Sequence, residues 1–276
     1  MTTLFRPVGL HELALIWDSG MREFPPRLPH QPIFYPVANV EYATQIARDW
    51  NTKDSSFVGY VTKFVVSDSH LANFEPHTVG SATHVEYWIP AEQLPGFNAS
   101  IQGMISVESA YFGVGFEGFV RDRFGLKGKD VVAQFIAMAK TWDYSRMDFV
   151  CEVSTNRKAV YLNFLFWAQF DFTALSVDAQ QRDATIARLK EAWTFNHVEI
   201  PLPVRTERKA SLRSAYSFGI ATSGWLFRRS INTVDPNSIA GSQIQRSSLR
   251  RMAYPRGLKN RVTAIGETRM GRQGKK

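Results

Sequence analysis

Residues His84-Val85-Glu86-Tyr87-Trp88-Ile89 alternate in character. In an extended segment His84, Glu86 and Trp88 fall on one face and Val85, Tyr87 and Ile89 on the other. One face is apolar; the other combines an indole with a carboxylate and an imidazole, the last two being residue types able to move protons. An ordinary half-buried strand with a solvent-facing glutamate has the same alternation, with His84 as a surface or packing histidine and Trp88 as a core or rim aromatic. Both readings stand on the residues alone. Other motifs end sooner. Gly113-Val114-Gly115-Phe116-Glu117-Gly118 has the wrong final spacing for a dinucleotide fingerprint, and Gly125-Leu126-Lys127-Gly128-Lys129-Asp130 lacks the P-loop spacing and its closing Ser or Thr, so both read as turns. His70 and His77 bracket Glu75 in what reads as a surface loop, and no Gly-x-Ser-x-Gly elbow is present.

The elements that must carry these residues follow from periodicity. Leu4 to Val8 reads as a strand and His11 to Ser19 as a helix, with Leu13, Ile16 and Trp17 on one face and Gly20 as its C-terminal cap. Phe24-Pro25-Pro26-Arg27-Leu28-Pro29 forms a stiff loop, because each ring removes a donor and biases its predecessor toward extended geometry. Ile33 to Val37 reads as a strand, and Asn39 caps a helix from Val40 to Trp50. Phe57 to Val66, His84 to Ile89 and Ile101 to Val107 are strands, with Ala110 to Phe112 as a further short one. Early alternation followed by strand upon strand predicts an α+β domain with a mixed, largely antiparallel sheet over residues 1–112. Beyond it, helices are expected near Lys129 to Thr141 and over Asp178 to Trp193, with an ambiguous run from Phe149 to Phe172. The dense aromatics of that run, Tyr161, Phe164, Phe166, Trp167 and Phe170, read as core, and Asn156-Arg157-Lys158 before them as an exposed turn. Residues 113–203 form a second, more helical unit or an elaboration of the first.

The chain of 276 residues, 44% apolar and 21% charged, is that of a folded protein of one or two domains. A single cysteine, Cys151, excludes an internal disulfide and the usual cysteine-based metal sites. Arg6, His11, Glu12 and Asp18 interrupt any signal-peptide core, and no apolar run reaches membrane-spanning length, so a cytoplasmic location is expected. The net charge of +8 is uneven: residues 205–276 hold 16 Lys and Arg against three acids, and residues 1–204 carry a balance of −5. The segment 204–276 therefore reads as a basic, flexible tail able to attract a phosphate backbone, or an acidic protein, without reading sequence.

Five stretches carry a family resemblance. Leu4-Phe5-Arg6-Pro7-Val8-Gly9, Phe24-Pro25-Pro26-Arg27, Gln31-Pro32-Ile33-Phe34-Tyr35-Pro36-Val37, Tyr42-Ala43 with Ile46-Ala47-Arg48-Asp49-Trp50-Asn51, and Glu86-Tyr87-Trp88-Ile89-Pro90-Ala91-Glu92 together resemble short bacterial proteins of the mono-ADP-ribosyltransferase kind, over residues 3–112. The resemblance implies an ADP-ribosyltransferase-like fold in which Arg6, Tyr35 and Glu86 line one NAD cleft. It assigns Arg6 to the adenosine-side ribose or phosphates, Tyr35 to the nicotinamide and Glu86 to the hydroxyls of the nicotinamide ribose. His84 would orient the acceptor or take its proton, and Arg27, held by the proline loop, would contact phosphate; surface pairing with Glu23 is the ordinary alternative for Arg27, as pairing with Asp49 is for Arg48. Breaking the nicotinamide–ribose bond builds positive charge on the sugar, which a carboxylate stabilises more in the transition state than in the ground state. The family's middle motif is often Ser-Thr-Ser, and Phe34-Tyr35-Pro36 stands there instead, so Tyr35 matches by order and residue type. ADP-ribosyl hydrolases use paired aspartates, and no adjacent Asp pair occurs here. The function implied is NAD-consuming ADP-ribosyl transfer to a macromolecular acceptor, nucleic acid or protein. The alternative is a noncatalytic nucleic-acid-binding protein built on the same scaffold.

Overall fold

A computed structural model describes residues 1–121 and 125–204, and the basic tail expected from the sequence lies outside the described residues. Strand β1 (Thr2–Val8) is followed by helix α1 (Leu10–Asp18), short strand β2 (Ile33–Phe34), α2 (Val40–Asp49) and the long strand β3 (Val58–Val66). Next come α3 (Asp68–Leu71), β4 (Pro76–Thr78), β5 (Val85–Tyr87), β6 (Ile89–Pro90), α4 (Leu94–Ala99) and β7 (Ile101–Phe112). Four helices close the described chain: α5 (Val131–Tyr144), α6 (Arg146–Thr155), α7 (Arg157–Gln169) and α8 (Ala179–Asn196). The class is α+β with antiparallel pairing throughout the named strands. Among the described residues no helix is long and apolar enough to cross a membrane.

Strands pair in the order β1-β3-β7, with β3 central. Reciprocal backbone hydrogen bonds between Phe5 and Val37, at 2.9 and 2.8 Å, attach the next segment to the outer edge of β1. Val37 in turn bridges Glu86, and Phe34 pairs with Ile89 in the same register, so residues 33–37 and 86–90 run as one ladder. Strand β4 completes the sheet beyond β5.

Each face of this sheet has its own cover. Leu4, Val8, Tyr60 and Phe64 point into a large core shared with α1 and α7, where Tyr60 donates to the Leu162 carbonyl at 2.8 Å. On the other face α2 packs Val40, Ala43, Ile46 and Ala47 over Val61 and Phe5. Gly59 is required there, because a Cβ would lie 2.1 Å from the Ala47 carbonyl oxygen. That close approach lets α2 lie flat on β3.

Local chemistry explains the element starts. Asn39 accepts from the Tyr42 amide at 2.8 Å and opens α2; Asp130 and Ser145 do the same for α5 and α6. Asp178 and Gln181 cap one another's amides in a capping box at α8. Gly20, at φ +71°, ends the turn after α1. The run from Phe149 to Phe172 resolves into α6 and α7, broken at Asn156, and α7 is buried nearly all round, so no single apolar stripe marked it. Tyr161, Phe164, Phe166 and Trp167 are core, and Phe170 is half-buried. Asn156, expected on an exposed turn, is buried at the α6–α7 junction, and Lys158 pairs with Asp18 at 2.7 Å. Residues 101–112 form one strand where two were expected. Buried Asn163 ties the segment around Phe119 to the helices: it accepts from the Phe119 amide at 2.8 Å and donates to Gln134 at 3.0 Å.

Candidate functional site

Register places a row of side chains across one face of the sheet. Ser106, Lys63, Phe5, Val37, Glu86 and His77 are successive cross-strand partners, so their side chains leave the sheet on the same side, the side that α2 covers in part. Glu86 lies in this row and is only 6% exposed. Its Oε1 accepts from the Tyr42 hydroxyl at 2.7 Å and its Oε2 from Trp88 Nε1 at 3.1 Å. A carboxylate has about four lone-pair sites, so each oxygen keeps one for a ligand. Among the described residues no cation pairs with Glu86.

Tyr42 reaches the carboxylate because Asn39 starts α2 directly after Val37, which turns the first turn of the helix over β5. Asn39 also donates to the Thr83 carbonyl, tying that helix start to the turn before β5. Burial first, then the hydrogen bond and charge of Glu86, raise the Tyr42 phenol well above its usual range, so it remains a proton donor to Glu86. The rest of the face is aromatic. His84 stacks on Tyr42 at 4.1 Å and 10°, and His77 stacks on Trp88 at 4.3 Å. Tyr35 meets the Trp88 ring edge-on at 6.0 Å. Trp88 is 42% exposed, so a flat ligand can reach its edge and the carboxylate behind it.

The arginines lie elsewhere. Arg6 is one residue off the Phe5–Val37–Glu86 row, and successive strand residues point to opposite faces, so its guanidinium enters the α1 core. There Nε and Nη2 donate to the two Glu12 oxygens at 2.8 and 3.3 Å, Nη1 donates to the Tyr35 carbonyl at 3.2 Å, and the group lies 4.6 Å from the Phe34 ring. Arg27 joins the same carboxylate at 3.6 Å and donates to Gln31 at 3.3 Å; Glu23, its expected surface partner, is not the acid it meets. Arg48 does pair with Asp49, at 2.8 Å.

Tyr35, His84 and Glu86 thus lie on one face of the sheet, whereas Arg6 and Arg27 converge on the opposite face. The single cleft shared by Arg6 and Glu86 is corrected by this parity. Three participants escaped the sequence reading. Tyr42 stood among the residues of the family resemblance with no role of its own; His77 was taken for a loop residue, yet it pairs with Glu86 in the β4–β5 ladder. Glu12 carried a usable signal, because it stands four residues before Ile16 and so on the buried face of α1. The chain matches no protein-family model, no curated protein and no solved structure.

Proposed function

We propose that the protein is an NAD-consuming mono-ADP-ribosyltransferase whose reacting ribose binds on the Glu86 face, with a macromolecule as acceptor. One observation carries this reading: a buried carboxylate is held in a fixed direction by two neutral donors, Tyr42 and Trp88, with no cation paired to it among the described residues. A charge left uncompensated in a site of low polarity is available to an oxocarbenium-like sugar, which needs it most in the transition state. Tyr35 and the exposed edge of Trp88 stand beside the carboxylate, where the nicotinamide would lie. His84, beside Tyr42, is the imidazole assigned to the acceptor's proton. Arg6 and Arg27 take no part in binding on this face.

Incubation with NAD labelled in the adenylate, alone and with RNA, DNA or cell extract, tests the proposal. Wild type should release nicotinamide and label an acceptor, and Glu86→Gln should be slower by about 10²- to 10³-fold, the cost of removing one stabilising group from such a site. Equal release by both proteins would remove Glu86 from the chemistry. The separation of Arg6 and Arg27 from Glu86 favours a second reading, a noncatalytic binding protein on the same scaffold. Under it NAD is not consumed, and Glu86→Gln changes neither nucleotide nor nucleic-acid binding.

A further inference from the structure

Two cations meet over one ring in the helical segment. Arg146, at the start of α6, and Arg188, within α8, hold their guanidinium carbons 5.4 and 4.6 Å from the centroid of Trp142 on α5. The two like charges therefore lie no more than about 10 Å apart, the sum of those distances, and repel one another. Asp143 and Asp148 flank the α5–α6 turn, yet among the described residues neither guanidinium forms an ion pair or a hydrogen bond with a carboxylate. Arg6, Arg27, Arg48 and Arg182 each have one. Contact with the indole holds each guanidinium near the ring while leaving its N–H groups unspent.

The same turn presents further ring surface. Tyr144, the last residue of α5, is 85% exposed, and Met147 beside it is also exposed. Two unspent guanidinium groups beside an exposed ring are what single-stranded nucleic acid uses, with phosphates on the cations and a base against the ring. Charge along the chain points the same way: the helix that carries Arg188 ends at Asn196, and residues 205–276, with 16 Lys and Arg against three acids, follow nine positions on.

We propose that Arg146, Trp142, Arg188 and Tyr144 form a docking surface for single-stranded nucleic acid. Arg146 and Arg188 contact phosphates, Trp142 holds them in place, and Tyr144 stacks on a base. The surface stands independently of any chemistry at Glu86.

The experiment is a fluorescence-anisotropy titration of the full-length chain with labelled single-stranded RNA and DNA dodecamers between about 50 and 200 mM salt. Wild type is compared with Arg146→Gln, Arg188→Gln, the double variant and Tyr144→Ala, with thermal melts verifying each fold. The double variant should bind about tenfold more weakly and flatten the slope of log K against log salt by about 1.4, two contacts at about 0.7 each. Tyr144→Ala should weaken binding at least about fivefold without changing that slope, because it removes stacking and not charge. Arg146 and Tyr144 are exposed, so their single variants decide the matter even if Arg188→Gln unfolds. Unchanged affinity and slope in the arginine variants would overturn the proposal. So would arginine-dependent binding of polyglutamate in preference to the dodecamers, which would mark an acidic protein as the occupant.

Discussion

Replacing Glu12 by glutamine preserves the shape of the side chain and removes the one charge that two buried guanidinium groups share. The carboxylate receives two hydrogen bonds from Arg6, at 2.8 and 3.3 Å, and an ion pair from Arg27 at 3.6 Å. All three side chains are less than one-tenth exposed. Hydrogen bonds to a charged group contribute about 1.5 to 3 kcal/mol each, and breaking a buried ion pair costs about 3 to 5 kcal/mol because the partner's charge is left behind. A loss of about 4 kcal/mol follows, which for a unit of this size lowers Tm by about 8 to 16 °C. Urea unfolding followed by tryptophan fluorescence should show a lower midpoint with an unchanged slope. Exchanging Arg6, Glu12 and Arg27 together for methionine should recover most of the loss, since an apolar cluster of similar volume needs no compensation. The triple variant should also release nicotinamide from NAD with an unaltered KM, because these groups face away from Glu86. A Glu12→Gln protein within about 1 kcal/mol of wild type would show that water already solvates the cluster. A sharply raised KM in the triple variant would return the arginines to the nucleotide.

Gly59→Ala should destabilise the protein by about 1 to 3 kcal/mol and reduce nicotinamide release, because the new methyl drives α2, and Tyr42 with it, off the sheet; a melt and an activity assay on one preparation check both. Tyr42→Phe should lose about 1.5 to 3 kcal/mol, read by urea unfolding, and slow nicotinamide release by freeing the Glu86 carboxylate to turn; a normal rate would limit Tyr42 to packing. Tyr60 and Tyr161 are raised above the usual phenol value near 10 by burial, and Tyr42 by burial and Glu86. Raised folded-state values mean that this stability is intact below pH 10 and is lost as pH climbs beyond it, by up to about 1.4 kcal/mol per pH unit for each phenol. Ultraviolet titration of the tyrosines alongside circular dichroism should show these phenols ionising only with unfolding; ionisation of all nine near pH 10 in a folded protein would contradict this.

Much of the site was legible locally. The strand around Glu86, the cap at Asn39 and the rigid proline loop all follow from residue type and spacing, since period, capping and ring geometry act within a few residues. The segregation of Val85, Tyr87 and Ile89 from Glu86 and Trp88 was likewise readable as alternation. The partners were less so: Tyr42 is 44 positions from the carboxylate it holds, and His77 stands opposite Glu86 only through the β4–β5 ladder.

What the sequence by itself determined is most of the elements of residues 1–112 and the outer two of the four later helices, the acidic and aromatic face of the Glu86 strand, and the uneven charge that separates residues 1–204 from the tail. The tertiary structure alone decided that Arg6 and Glu86 look away from each other. That outcome depends on Phe5, and not Arg6, standing opposite Val37 in the ladder, and a shift of one residue would reverse it. Strand register is set by the whole packed sheet, by α2 lying on Gly59 and by the apolar rows on both faces, and no short stretch of chain encodes it.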